Sequence, residues 1–180
     1  MATTHQRPDV DPIARAHEAK DPVTAAAGPY GHPFHPILVT IPIGLWTGAL
    51  VFDLASRIRD GGAPTLVDAS FWMIGIGIVG ALLAALFGLL DLLTIPRGTR
   101  AFRAGVTHMA LNLVVVALFA VNFLWRAGDH TGAEVELGQL VLTAVAVAVL
   151  SASGWIGGML AYRYGVRVAD EQTQAEGYRR

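Results

Sequence analysis

The sequence predicts an all-α integral membrane protein, a four-helix up-down-up-down bundle preceded by a disordered polar N-terminal tail. Three observations carry this. The 180-residue chain is 53% hydrophobic and only 15% charged, where a soluble domain carries about 25% charge. Four apolar runs occur, each near the ~20 residues that cross a hydrocarbon core. The connections between them are short, which favours antiparallel neighbours.

Residues 1–30 come first. They are polar and mixed, as in "THQRPDVDPIARAHEAKDP", and show none of the basic–apolar–small pattern of a secretory signal. They are expected to be disordered, with a helical turn around Ile13 to Lys20. His5 and His17 read as solvated, since nothing nearby has ligand spacing.

The transmembrane domain spans residues 31–166, and 167–180 form a C-terminal tail. Span 1 is "ILVTIPIGLWTGALVFDLA", Ile37 to Ala55. Gly61, Gly62 and Pro64 mark the loop to span 2, Phe71 to Ile95. "PRGTRAFR" leads to span 3, Gly105 to Trp125. "RAGDHTGAEVE" leads to span 4, Leu137 to Tyr162. Lipid offers a spanning backbone no hydrogen-bond partner, so each run should be a helix.

Basic residues set the direction. Lys20, Arg97, Arg100, Arg103, Arg163 and Arg167 flank the face where span 1 begins, here called side A. Arg57, Arg59 and Arg126 flank side B, with Asp60, Asp68, Asp129, Glu134 and Glu136. The excess of Lys and Arg places side A in the cytoplasm. The expectation is a multi-pass inner-membrane protein with both termini cytoplasmic.

Costly polar groups inside a span face the bundle interior, so their spacing reports the packed face. Span 1 offers His35, Val39, Pro42, Trp46, Ala49 and Asp53. Span 3 offers His108, Asn112, Val115, Phe119, Asn122 and Arg126 in the same rhythm. Span 2 presents Gly77, Gly80, Ala84, Gly88 and Asp91. Span 4 presents Gln139, Thr143, Ala146, Leu150, Ser153 and Gly157. Gly154 and Gly158 form a small-xxx-small pair suited to close helix packing. Asp53 and Arg57, one turn apart, read as a local ion pair.

Several functions are excluded or unsupported. A net charge of −1 gives no footprint for nucleic acid. With no cysteine there is no disulfide, thiolate zinc site, cysteine-ligated iron–sulfur cluster or covalent c-type haem. No catalytic triad or phosphate-binding loop occurs, which speaks against an enzyme.

What remains is the polar level on side A, where all four spans bring a polar or small group. Four possibilities stand. Haem b could be clamped by His35 and His108, with Trp155 and Arg163 at its edge and Arg97, Arg100 or Arg103 on the propionates. A transition metal could be held by His35, His108 and Asp91, with His32 as a fourth ligand. Proton movement would use the same Asp and His, but the apolar middle argues against a continuous path. Finally, the cluster could serve helix packing alone, in a structural or interaction subunit: His35 bonded to Asp91, His108 to Tyr162.

The stretches "GHPFHPILVTIPIG", "LFGLLDLLTIP", "THMALN" and "SGWIGGMLAYRYGV" together resemble the bacterial four-span membrane proteins known as domain of unknown function 2231. The resemblance covers Gly31 to Val166. Its markers fall on His32, Pro33, His35, Pro36, Pro42, Gly44, Gly88, Asp91, His108, Trp155, Gly157, Gly158, Tyr162 and Arg163. It implies an integral membrane protein in contact with lipid. Some relatives are fused to Rieske-type iron–sulfur domains, which implies an electron-transfer setting and a Rieske-type redox partner. The combined expectation is a haem- or metal-binding redox accessory protein.

Overall fold

A computed structural model describes residues 11–59 and 62–179. His5, Asp60 and Gly61 of the expectations above lie outside the described residues, as does the tail before Asp11. Among the described residues every regular element is helical.

Four helices are long and apolar enough to cross a membrane: His35–Ile58, Pro64–Thr94, Arg100–Arg126 and Leu137–Tyr162. The first is built of two pieces, α2 (His35–Leu38) and α3 (Thr40–Ile58). Pro42 explains the break. It has no N–H to give to the Leu38 carbonyl one turn earlier, and the ladder restarts with Ile43 N on Val39 O at 3.2 Å. Helices α4 (Pro64–Thr94) and α5 (Arg100–Arg126) start on a proline and on a Thr99 side-chain cap. Helix α6 (Leu137–Tyr162) opens with a reciprocal Glu136–Gln139 capping box. Two helices run well past the expected spans, α4 at side B, where it starts at Pro64, and α5 at side A, where it starts at Arg100, while α6 keeps the expected bounds.

The bundle has up-down-up-down connectivity. Helix α4 packs on α3 and α5, and α6 packs on α5 and α3. Helices α3 and α5 therefore lie across a diagonal and meet through large side chains at the centre. Trp46 and Phe119 stack there, centroids 4.2 Å apart. Leucines such as Leu82, Leu83, Leu86 and Leu93 lie exposed on the outside, the surface offered to lipid.

The interior stripes match the spacing read from the sequence. Pro42, Trp46, Ala49 and Asp53 are buried on α3. Val115, Phe119, Asn122 and Arg126 are buried on α5. On α4 the set includes Gly77, Gly80, Ala84 and Asp91, and on α6 Gln139, Thr143, Ala146 and Ser153.

The helical turn expected around Ile13 to Lys20 is present as α1 (Pro12–Glu18), and a tight turn follows at Ala25–Ala27. Arg167 ties this segment to the end of span 4. This residue of the expected C-terminal tail is buried, at φ 59°. Its guanidinium donates to Ala27 O at 3.2 Å, Gly28 O at 2.9 Å and Lys20 O at 3.4 Å. Gly28 (φ 94°) makes the tight approach possible: a Cβ there would collide with the His32 carbonyl. A short helix α7 (Glu171–Glu176) ends the chain.

Candidate functional site

Two polar layers flank the aromatic centre. At side B, Arg126 and Asp53 form a bidentate ion pair, 2.7 and 2.8 Å, both side chains fully buried. All five guanidinium hydrogens are used: two on Asp53, one each on Asn122 Oδ1 (2.9 Å), Ser70 Oγ (3.1 Å) and Thr143 Oγ1 (3.1 Å). The carboxylate also accepts from Ser70 at 2.5 Å and Thr143 at 2.9 Å. A pair buried this deeply needs such completion to offset desolvation.

This corrects the expectation of a local Asp53–Arg57 pair. Arg57 instead reaches Glu134 (3.4 Å) and Val135 O (2.6 Å). Trp72, at the same depth, faces outward. His130 bonds Asp68 at 2.9 Å and stacks on Phe71, centroids 4.2 Å apart.

At side A, His35 and His108 face each other across the diagonal. Their ring centroids lie 6.3 Å apart and their planes are perpendicular. Both are half-buried. Each Nδ1 sits 2.8 Å from a backbone carbonyl of the helix next in sequence, Ala84 O for His35 and Ser153 O for His108. A carbonyl only accepts, so each Nδ1 carries the proton and each Nε2 keeps its lone pair. Glycines seat the rings. A Cβ on Gly88 would lie 2.8 Å from Cε1 of His35, and one on Gly157 would lie 2.9 Å from Cε1 of His108.

The two Nε2 atoms differ in their neighbours. Asn112 Nδ2 is 3.1 Å from Nε2 of His108, but also 2.9 Å from His108 O and 2.9 Å from Ser153 Oγ. Two amide hydrogens face three acceptors, and the Nε2 contact is the longest. Nε2 of His35 has no hydrogen bond among the described residues. No buried side-chain nitrogen or oxygen there lacks a partner, so this atom opens onto accessible space.

Other expected site residues are not drawn to the pair. Asp91 bonds Arg167 at 2.8 Å rather than His35. His32 is exposed and contacts Tyr30 O at 3.4 Å. Trp155, Tyr162 and Arg163 are exposed, so His108 bonds Ser153 and Asn112 rather than Tyr162. Among the described residues no three His, Cys, Asp or Glu side chains gather as a metal-ligand set. Arg167 was read from sequence only as a side A charge. The signal that could have found it is Asp91, because a carboxylate inside a span needs a cationic partner.

These features define a class: an integral membrane four-helix bundle with a buried ion pair at one surface and a facing histidine pair at the other. The chain belongs to the family described as predicted membrane protein (DUF2231), whose model matches residues 31–170. The matched stretch begins just before His32 and runs past Val166 to include Arg167. No curated protein and no solved structure matches the chain.

Proposed function

We propose that this protein is a membrane-embedded redox accessory protein that holds haem b between His35 and His108. The observation that carries the proposal is the spacing of the facing imidazoles. A metal–nitrogen distance of about 2 Å, added on both sides to half of each ring, spaces two centroids by roughly 6 Å. The rings stand 6.3 Å apart. Their Nδ1 protons rest on carbonyls, the usual orienting bond of a ligating histidine.

The donor set favours haem over a bare transition metal. A porphyrin supplies four nitrogens, so two axial imidazoles complete it. A bare ion needs three or four protein ligands, and Asp91 is engaged by Arg167. An apolar groove between α4 and α5, lined by Leu86, Leu89, Met109 and Leu113, lies at the depth of the histidines. The edge of a flat apolar group would emerge there. Exposed Arg97, Arg100 and Arg103 at side A suit propionates.

When bound, haem supplies one-electron transfer. The chain's own part is to hold the imidazoles and exclude water with the Trp46–Phe119 layer. The basic flank of side A supports an inner-membrane orientation with both termini cytoplasmic. A Rieske-type protein fits as electron partner.

A second reading is favoured by the Asn112–Ser153–His108 network. In it the cluster only fixes helix register, in a structural subunit. Absorbance and metal analysis of detergent-purified protein decide between them. Haem gives a Soret band that disappears in His35→Ala and in His108→Ala. A folded, colourless, iron-free preparation from haem-replete cells refutes the haem proposal and leaves the packing role.

A further inference from the structure

The two halves of the bundle superpose as a pattern. His35 and His108, Trp46 and Phe119, and Asp53 and Arg126 are three facing pairs, and each pair is separated by the same 73 residues. The buried positions follow suit. Pro42, Trp46, Ala49 and Asp53 of α3 have Val115, Phe119, Asn122 and Arg126 of α5 as their counterparts 73 residues on. Every buried residue of α6, namely Gln139, Thr143, Ala146 and Ser153, has a buried counterpart 69 residues earlier in α4. Those counterparts are Ser70, Ile74, Gly77 and Ala84. The carbonyls that hold the histidines, Ala84 and Ser153, obey this spacing, as do the seating glycines Gly88 and Gly157.

We infer that the chain is two equivalent helical hairpins in tandem, residues 35–94 and 100–162, related by a pseudo-twofold axis along the membrane normal. Each supplies half of a site on that axis: one imidazole, the carbonyl that fixes its tautomer, and the glycine that seats its ring. Both hairpins run in the same direction, since the first span (α2 with α3) and α5 carry their histidines to side A and their charges to side B. A parallel repeat of this kind places its shared site where the halves meet. As in a symmetric dimer, the same patch appears on both halves.

Coincidence is a poor account. Three side-chain pairs, two carbonyl bonds of equal 2.8 Å length and two glycine seats would have to share two fixed offsets. Asp53 and Arg126 are opposite in charge, so common chemistry is not what aligns that pair. The fold does. The ligand class follows, and this part rests on the haem proposal. A group held on the axis meets two Nε2 atoms at matching positions, with Asn112 beside only that of His108, so it must offer two opposite coordination positions. A centre with one protein ligand and one open position does not fit. Gly88 and Gly157 are therefore positioning residues of equal rank.

The test reads the rings directly. Full-length protein from haem-deficient cells, labelled with ¹⁵N in the histidine rings, is studied by NMR in detergent. His35→Gln and His108→Gln assign the two signals. Equivalent half-sites give both rings as the neutral Nδ1–H tautomer. Gly88→Ala then shifts the His35 signals and leaves His108 nearly unmoved, while Gly157→Ala does the reverse. An Nε2–H tautomer at either histidine overturns the inference, as does a glycine substitution that moves both rings alike. If either alanine variant fails to fold, the wild-type tautomers still decide. The two proposals fail separately. Matched tautomers in a protein that takes up no haem refute only the cofactor. Bound haem with mismatched tautomers refutes only the equivalent half-sites.

Discussion

Asp53→Asn is the substitution that tests the energetics of the bundle most directly. It removes the charge facing Arg126 while keeping the shape. Arg126 is fully buried, and two of its five bonds go to this carboxylate. The guanidinium cannot lose its proton, so it stays charged with no counter-ion. Removing one partner of a buried pair costs about 3–5 kcal/mol. The double variant Asp53→Leu/Arg126→Met should recover most of that. The hydroxyls that lose Asp53 have other acceptors in place: Ala49 O is 3.3 Å from Ser70 Oγ, and Gln139 O is 3.0 Å from Thr143 Oγ1. Asn122 keeps the bonds its Nδ2 donates to Gln139 O at 3.1 Å and Thr143 at 2.8 Å, and loses only the Arg126 Nε donor to its Oδ1. Unfolding by sodium dodecyl sulfate in mixed micelles, followed by far-UV circular dichroism, measures both variants. A double variant as unstable as the single one refutes the reasoning, because the cost would then not be an orphaned charge.

Two further outcomes are expected. Arg167→Ala frees the segment before His35, and each bond lost from a charged donor is worth about 1.5–3 kcal/mol. Hydrogen exchange at Phe34 N, which bonds Ala27 O, should speed up by on the order of tenfold or more; unchanged protection contradicts the strut. Gly77→Ala places a methyl group on the Trp46 indole, which bonds Ile74 O at 3.2 Å. Overpacking of this kind costs roughly 1–3 kcal/mol. Trp46 fluorescence in a background lacking the other three tryptophans should shift, and an unmoved spectrum with wild-type stability argues against the close approach.

Much of the fold was legible because lipid constrains sequence tightly. Span number, connectivity and the buried stripe of each helix all follow from polar groups avoiding hydrocarbon. His35 and His108 were legible as a facing pair because a stripe of 3.6-residue period fixes both face and depth. What was missed was choice of partner. Asp53 has Arg57 one turn away in sequence, but Arg126 is closer in the fold, and only tertiary structure tells them apart. Asp91 presented the same problem, with Arg163 and Arg167 both near the end of span 4. The tie between residues 19–28 and the far end of the chain was hidden, because it is made by Arg167 and its backbone rather than by an apolar stripe. The repeat was hidden too. Trp46 against Phe119, and Asp53 against Arg126, share position but little residue similarity.

The ion pair at side B has a bearing on how the chain is made. Asp53 is inserted before Arg126 exists, 73 residues earlier in synthesis. It sits five residues before the end of α3, and Arg126 is the last residue of α5. Either charge can therefore remain wetted at the membrane surface while its own hairpin stands alone. Burial becomes possible only when the second hairpin arrives. Docking of two preinserted hairpins is then the committing event of biogenesis, and a ribosome stalled before Arg126 should leave a nascent chain whose Asp53 still reacts with water-soluble carboxyl reagents.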